Sequence, residues 1–270
     1  MEVLHVKENQ QVDYVNAAQA LQRLLLLSSF PVAVRFSQED DLPEKARRPS
    51  RDLGHPLALC QGVAMARSLG WTMGFLKEDH ACPPSFLILG LDEKAKNQNY
   101  GEMLTPSYGA TQALCESSNE YLVTLPMGQY KSVAMAPLEK NALEPDIILV
   151  YGNPAQISRL VQGALYHRGG AITSAFTGRN SCASALAAPM VNGQCQVIVP
   201  GSGERVFAVT QDAEMCFSFP ASWLGDIVSG LEATHRLGTM RYPTPFQGMR
   251  ERPQFPKLYH PMMKDLGLLD

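Results

Sequence analysis

Two segments of the chain, about one hundred residues apart, carry the same short pattern in similar surroundings. Segments 61–67 and 162–168 agree in their first, second and last residues, which are Gln, Gly and Arg. Each segment leads through a glycine and a short apolar stretch to polar residues and a cysteine, which is Cys82 in the first copy and Cys182 in the second. Such self-similarity indicates a fold built from two related halves.

The pattern of elements predicts an α+β (mixed α/β) fold with two pseudo-symmetric strand–helix–strand halves, about 13–125 and 130–238. We expect the halves to pack as one globular domain spanning 1–270, because each is small and both carry apolar strands. The segment 239–270 contains five prolines and is expected to be an extended tail. Helices are predicted at about 13–26, 56–68, 108–118, 153–168 and 221–236, and strands at 30–36, 71–76, 133–137, 147–151, 171–176, 196–199 and 206–209.

Charge and hydropathy exclude several classes of protein. The formal net charge of the 270 residues is −3, so no basic surplus favours nucleic-acid binding. The longest leucine run, 24–27, is far shorter than the roughly 20 apolar residues that span a bilayer. The N-terminus has no basic segment leading into an apolar one, as a secretory signal would. We therefore expect a cytoplasmic protein that binds neither membrane nor nucleic acid.

The six cysteines are the residues best suited to special chemistry. They include no Cys-x-x-Cys pair, so they are either core residues or ligands brought together from distant segments. Thiolates are soft ligands that suit iron–sulfur clusters, zinc and copper(I). Cys115 and Cys216 alternate with apolar neighbours and are interpreted as core. The predicted metal ligands are Cys60, Cys82, Cys182 and Cys195.

A glycine-rich segment is the second candidate site. It is expected to join two strands, and its backbone N–H groups could cradle an anion with help from an arginine. An ordinary glycine-rich hairpin turn is the favoured interpretation. The predicted anion-binding residues are Gly201, Ser202, Gly203 and Arg205.

The remaining ionisable residues have simpler interpretations. Glu204, Asp212 and Glu214 could form an acidic cluster for acid–base chemistry, although solvated turn residues are the favoured interpretation. His80, beside two acidic residues, is a candidate base or metal ligand, with a surface turn as the alternative.

Several ordered motifs together resemble domain-of-unknown-function family 169, also called the ArCR family. The resemblance runs from about Tyr14 to Gly238. The motifs are Pro-Val-Ala-Val-Arg-Phe at 31–36, Cys-Gln-Gly with Ala-Arg at 60–67, His-Ala-Cys at 80–82, Pro-Asp-Ile-Ile-Leu-Val-Tyr at 145–151, Gly-Glu-Arg-Val-Phe-Ala at 203–208, Asp-Ala-Glu-Met at 212–215 and Phe-Pro at 219–220.

The resemblance implies a cytoplasmic protein of a family common in archaea and anaerobic bacteria, with cysteines at the positions of Cys60, Cys82 and Cys182. Some relatives are expected to carry a fourth cysteine near the Gly-x-Arg turn, where this chain has Gly201 and Ser202.

Three functions follow from these observations. The first is a redox or regulatory protein with a [4Fe–4S] cluster held by cysteines from both halves, acting with a redox partner. The second is a non-catalytic protein that binds a small anionic molecule. The third is an enzyme with one reactive thiol, Cys82 or Cys182, near His80.

Overall fold

Six antiparallel strands form one sheet at the centre of the described part of the molecule. The structure is a computed structural model, and it describes residues 13–237, 241–243 and 255–268. The strands are β1 (Val32–Ser37), β2 (Met73–Phe75), β3 (Ser132–Pro137), β4 (Ile147–Gly152), β5 (Gln196–Ile198) and β6 (Met215–Pro220). Their order across the sheet is β2-β3-β1-β4-β6-β5.

Helices and short helical turns connect the strands. The 3-10 turns are Lys77–Asp79, Leu138–Lys140, Ala221–Trp223 and Lys257–Tyr259, and the π-helical turns are Pro49–Leu53 and Ala183–Ala187. No helix in the described ranges has the length and apolar content needed to cross a membrane. The α-helices are α1 (Tyr14–Leu25), α2 (Leu59–Leu69), α3 (Pro83–Ile88), α4 (Glu93–Lys96), α5 (Tyr100–Leu104), α6 (Gln112–Asn119), α7 (Pro154–Tyr166), α8 (Ala188–Asn192), α9 (Ser202–Phe207), α10 (Leu224–Leu237) and α11 (His260–Asp265).

Both faces of the sheet are buried. Successive residues of a strand point to opposite sides, so each strand contributes side chains to both faces. In β4, Leu149 and Tyr151 join the core of a first face, whereas Ile148 and Val150 join the core of a second face. The first face is covered by α2 and the π-helical turn Ala183–Ala187. The second face is covered by α1, α7 and α10.

The α+β class predicted from the sequence is confirmed, and strands from both predicted halves pair in one sheet, because β3 pairs with β1 and β2 and β4 pairs with β1. The strand order places β3, which belongs to the second predicted half, between β2 and β1 of the first. The matching helices differ, because α2 packs on the first face and α7 on the second. Gln61 is the third residue of α2, but Gln162 lies near the end of α7. The pseudo-symmetry is therefore not confirmed, and the domain boundaries stay a prediction.

Two predicted strands are wrong, and one real strand was not predicted. Residues 171–176 form no strand, because the Val197 amide beside them donates to the Ser174 hydroxyl at 2.8 Å and not to a backbone carbonyl. Residues 206–209 fall in and just after α9, where tertiary contacts override β propensity. The strand that the sequence analysis missed is β6.

The C-terminal tail is described only in part. Residues 255–268 contain a 3-10 turn and α11 rather than the expected extended chain, and Pro261 lies in the first turn of α11, where proline is tolerated. Residues 239–240, 244–254 and 269–270 of the predicted tail lie outside the described residues.

Candidate functional site

A cavity of about 370 Å³ opens on the first face of the sheet, next to the end of β4. Its apolar wall includes Val63, Leu149 and Leu186, which belong to the first-face core or line its edge. Four segments close it: the start of α2, the residues before α3, the residues before the π-helical turn Ala183–Ala187, and α9. Its size is typical of small-molecule sites, which range from roughly 300 to 1,000 Å³.

Three of the four predicted ligand cysteines line this cavity, which we call the thiol cavity. Cys60 is the second residue of α2, Cys82 immediately precedes α3, and Cys182 immediately precedes the π-helical turn. These three thiols are half-buried, whereas the other three cysteines of the chain are fully buried. The fold therefore brings three of the predicted ligand cysteines to one cavity from three separate elements.

The fourth predicted ligand, Cys195, lies elsewhere. Its side chain packs in the second-face core, on the opposite side of the sheet from the thiol cavity. The period-two alternation of β5 explains this, because Cys195 shares its side of the strand with Val197 while Ile198 joins the first face.

The cavity thiols are neutral at physiological pH. Burial, and to a smaller extent the charge of Glu204, raise the pKa of Cys60 to about 12. Burial is also the main cause that raises the pKa of Cys82 and of Cys182. Thiols in such surroundings are poor nucleophiles, since the thiolate is the reactive form.

His80 does not supply a base to these thiols. Its ring is buried between Phe75 and Phe86, and it is not one of the described residues that line the cavity. Burial lowers the pKa of His80 to about 4, so the imidazole is neutral at pH 7. This placement gives no support to the thiol-enzyme alternative.

Glu204 is the buried carboxylate of the thiol cavity. It lies in α9, is 8% exposed, and accepts a hydrogen bond of 2.7 Å at Oε1 from the Tyr151 hydroxyl. Burial and the neighbouring Glu204 raise the pKa of Tyr151 well above its usual value, so the hydroxyl remains a donor. The other oxygen, Oε2, is buried and has no hydrogen-bond partner among the described residues. The sequence interpretation of Glu204 as a solvated turn residue is therefore wrong.

A buried ion pair packs against the face of the Tyr151 ring. The Arg67 guanidinium lies over the Tyr151 ring at 4.3 Å and donates to both carboxylate oxygens of Glu214, at 2.8 and 3.1 Å. Arg67 is 5% exposed, and such a pair is costly to break because it would leave a buried charge alone. Arg67 and Glu214 thus fix the ring whose hydroxyl contacts Glu204.

Arg179 is the buried cation of the cavity. It is 7% exposed, lies near the Tyr108 ring, and donates to the Asn119 side-chain carbonyl. No carboxylate within the described ranges forms an ion pair with it. Burial lowers its pKa, but an arginine remains charged at neutral pH. The sequence analysis missed Arg179 and Tyr151, since their burial depends on distant segments.

The predicted anion-binding residues are only partly brought together. Ser202 and Gly203 line the thiol cavity, and the Gly201 amide is occupied because it donates to the Ser181 hydroxyl at 2.7 Å. Arg205 is not among the lining residues and donates to the Gln211 carbonyl at 2.8 Å. The expected hairpin turn is wrong, because this segment begins α9.

The cavity's donor atoms do not form a metal site in the described residues. In the part of the chain that the structure describes, no three His, Cys, Asp or Glu side chains converge as ligands of a metal ion. Any cluster or metal at the cavity would draw on Cys60, Cys82 and Cys182, and Cys195 would not contribute.

These features define a class of protein: an α+β protein with one six-stranded antiparallel sheet and a thiol-lined cavity on its first face. The chain belongs to the family described as "Uncharacterised ArCR" (DUF169), whose model matches residues 20–230. The resemblance seen in the sequence motifs is thereby confirmed. The chain is also similar to an uncharacterised protein, MJ0308, of Methanocaldococcus jannaschii, with 26% identity over 243 residues, 88% of this chain and 99% of the relative. No solved structure matches the chain.

Proposed function

We propose that this protein binds a small organic molecule in the thiol cavity without transforming it. The observation that carries the proposal is that Glu204 lines the cavity and that its Oε2 is buried with no hydrogen-bond partner among the described residues. A buried polar atom without a hydrogen-bond partner costs about 1–3 kcal/mol. A ligand that donates a hydrogen bond to Glu204 would remove that cost.

The chemistry of the lining favours binding over catalysis. The three thiols are neutral because burial raises their pKa values, and His80 is not placed to activate them. The apolar wall with a few polar groups is the usual composition of a small-molecule site.

A thermal-shift screen of a metabolite library tests the proposal. A ligand present at about 100 times its dissociation constant stabilises the protein by about 2.7 kcal/mol. We expect at least one compound to raise the melting temperature of the wild type and to leave Cys82→Phe unchanged, because the phenyl ring projects from the lining and occupies part of the ligand's space. The matched control is Val191→Phe, at a side chain that is 57% exposed and does not line the cavity. Equal shifts in both variants would place the ligand elsewhere and refute the proposal.

A second candidate function is a redox or regulatory role with a [4Fe–4S] cluster. What favours it is that three thiols from separate elements line one cavity, since thiolates are the ligands of such clusters. The absence of a converged ligand group in the described ranges makes it the weaker candidate.

Iron content after anaerobic purification tests the cluster directly. The candidate requires bound iron and sulfide in the wild type, their loss in Cys82→Ser, and their retention in Cys195→Ser, because Cys195 lies on the other face. Iron-free wild type after anaerobic reconstitution would refute it.

We also place the protein in the cytoplasm. All six cysteines are free in the structure, and reducing compartments are where free thiols persist. Recovery of the native protein outside the cytoplasmic fraction would contradict this placement.

A further inference from the structure

We propose that the ligand of the thiol cavity is a small zwitterion of the amino-acid class, whose anionic group binds Arg179 and whose ammonium group binds Glu204. This inference rests on the proposed binding function and adds the chemical class of the ligand. It follows from the charges that the cavity contains and from the partners those charges lack.

The anionic end of the ligand is specified by Arg179. A guanidinium carries five N–H donors and accepts nothing. The hydrogen bond from Arg179 that the structure shows goes to the neutral Asn119 amide. Arginines are almost never fully buried unless they are paired, and Arg179 is 93% buried with no carboxylate partner in the described ranges. A carboxylate is the ligand group that matches this fork of donors.

The cationic end is specified by Glu204. An ionised carboxylate only accepts hydrogen bonds, and Oε2 of Glu204 has none to accept within the described residues. The nearby thiols are weak donors, and the Tyr151 hydroxyl is already bound to Oε1. An ammonium group has three donors and a positive charge, so it satisfies Oε2 and neutralises the buried charge.

The two charges belong to the same cavity but do not neutralise each other. Arg179 and Glu204 both line it, and no ion pair within 4.0 Å connects them. They are the one guanidinium and the one carboxylate among the described lining residues. A ligand with a single charge would leave one of them buried without a counter-charge, and a zwitterion would pair with both.

The test compares zwitterions with close analogues that lack one of the two charged groups. The probes are the proteinogenic amino acids and δ-aminovalerate, each beside its decarboxylated amine and its deaminated acid, such as L-leucine, isoamylamine and isocaproate. Dissociation constants are measured by titration calorimetry on the full chain. We expect at least one zwitterion to bind about tenfold or more tightly than both of its one-charge analogues, since a hydrogen bond to a charged group is worth that factor or more.

Two variants with neutral side chains assign the ends. Arg179→Gln is expected to bind the amine as tightly as the zwitterion, and Glu204→Gln the acid as tightly as the zwitterion. The controls are Arg168→Gln and Glu232→Gln, which alter exposed ion pairs and are expected to bind like the wild type. If a variant does not fold, the three-way comparison on the wild type decides alone.

The outcomes separate the inference from the proposed function. If a single-charge or neutral compound binds the wild type as tightly as every zwitterion, and Cys82→Phe abolishes its binding, the zwitterion class is refuted while the cavity remains the binding site. If no probe and no library compound binds at a site that Cys82→Phe blocks, both are refuted. Zwitterion binding that is unchanged in Arg179→Gln and Glu204→Gln also refutes the inference.

Discussion

Replacing Tyr151 by phenylalanine removes one hydroxyl from the buried contact that holds Glu204. The hydroxyl donates to Glu204 Oε1 at 2.7 Å, and the two residues are 4% and 8% exposed. Loss of a buried hydrogen bond to a charged acceptor costs about 1.5–3 kcal/mol. The ring itself stays, so its stacking under Arg67 and its packing in the first-face core are kept. We therefore expect Tyr151→Phe to lower the free energy of unfolding by about 1.5–3 kcal/mol.

The matched control is Tyr108→Phe in the same cavity lining. The Tyr108 hydroxyl contacts the Ser202 hydroxyl at 3.2 Å in an exposed position, so its removal should change stability by less than about 0.5 kcal/mol. Urea unfolding followed by far-UV circular dichroism at pH 7 measures both. In a Glu204→Gln background the cost of Tyr151→Phe should shrink, because a neutral acceptor gains only about 0.5–1.5 kcal/mol. The reasoning is refuted if Tyr151→Phe is no more destabilising than Tyr108→Phe.

Two further predictions concern the packing and the pH dependence of the fold. In Gly225→Ala, in α10, nothing lies within 4 Å of the new methyl group, so the variant should stabilise the protein by up to about 1 kcal/mol. In Gly230→Ala the methyl group collides with the Gly163 carbonyl, so the variant should destabilise the protein by about 1–3 kcal/mol. Thermal unfolding of the two variants checks these opposite signs. The pKa of His80 falls from 6.5 to about 4 on folding, so the unfolded state takes up a proton first as the pH drops, and stability should fall by about 3 kcal/mol between pH 7 and pH 4. Urea unfolding at several pH values in this range should show that the free energy of unfolding falls less steeply with decreasing pH in His80→Phe than in the wild type. An equally steep fall in both proteins would contradict the assignment.

Local sequence signals predicted most of the fold because they determine those elements directly. Helix α7 begins at Pro154 after Asn153, whose side chain accepts hydrogen bonds from two amides of the first turn, and this cap is visible in the sequence. Strand β4 is continuously apolar, and strand β1 begins with the apolar run Val-Ala-Val, as buried strands do. Residues 206–209 carry similar valines but form the end of a helix, because contacts made by Glu204 lie outside any local window.

The candidate site was predictable only in its thiols. Cysteines are few and chemically distinctive, so Cys60, Cys82 and Cys182 could be selected before their proximity was known. Whether Glu204 faces water or a cavity depends on the placement of α9 over the first face, which no short motif encodes. The alternation of β5 puts Cys195 on the same side as Val197, but which face of the sheet that side meets depends on the tertiary fold.

Mass-spectrometric rates of thiol alkylation test the binding cavity most directly, because each cysteine reports on its own surroundings. The thiols that line the cavity are half-buried, and Cys195 lies under a different surface. We predict that a compound which stabilises the wild type slows iodoacetamide labelling of Cys60, Cys82 and Cys182 together and leaves the rate at Cys195 unchanged. Stabilisation by a compound that leaves all three cavity thiols labelling at their original rates would contradict the account.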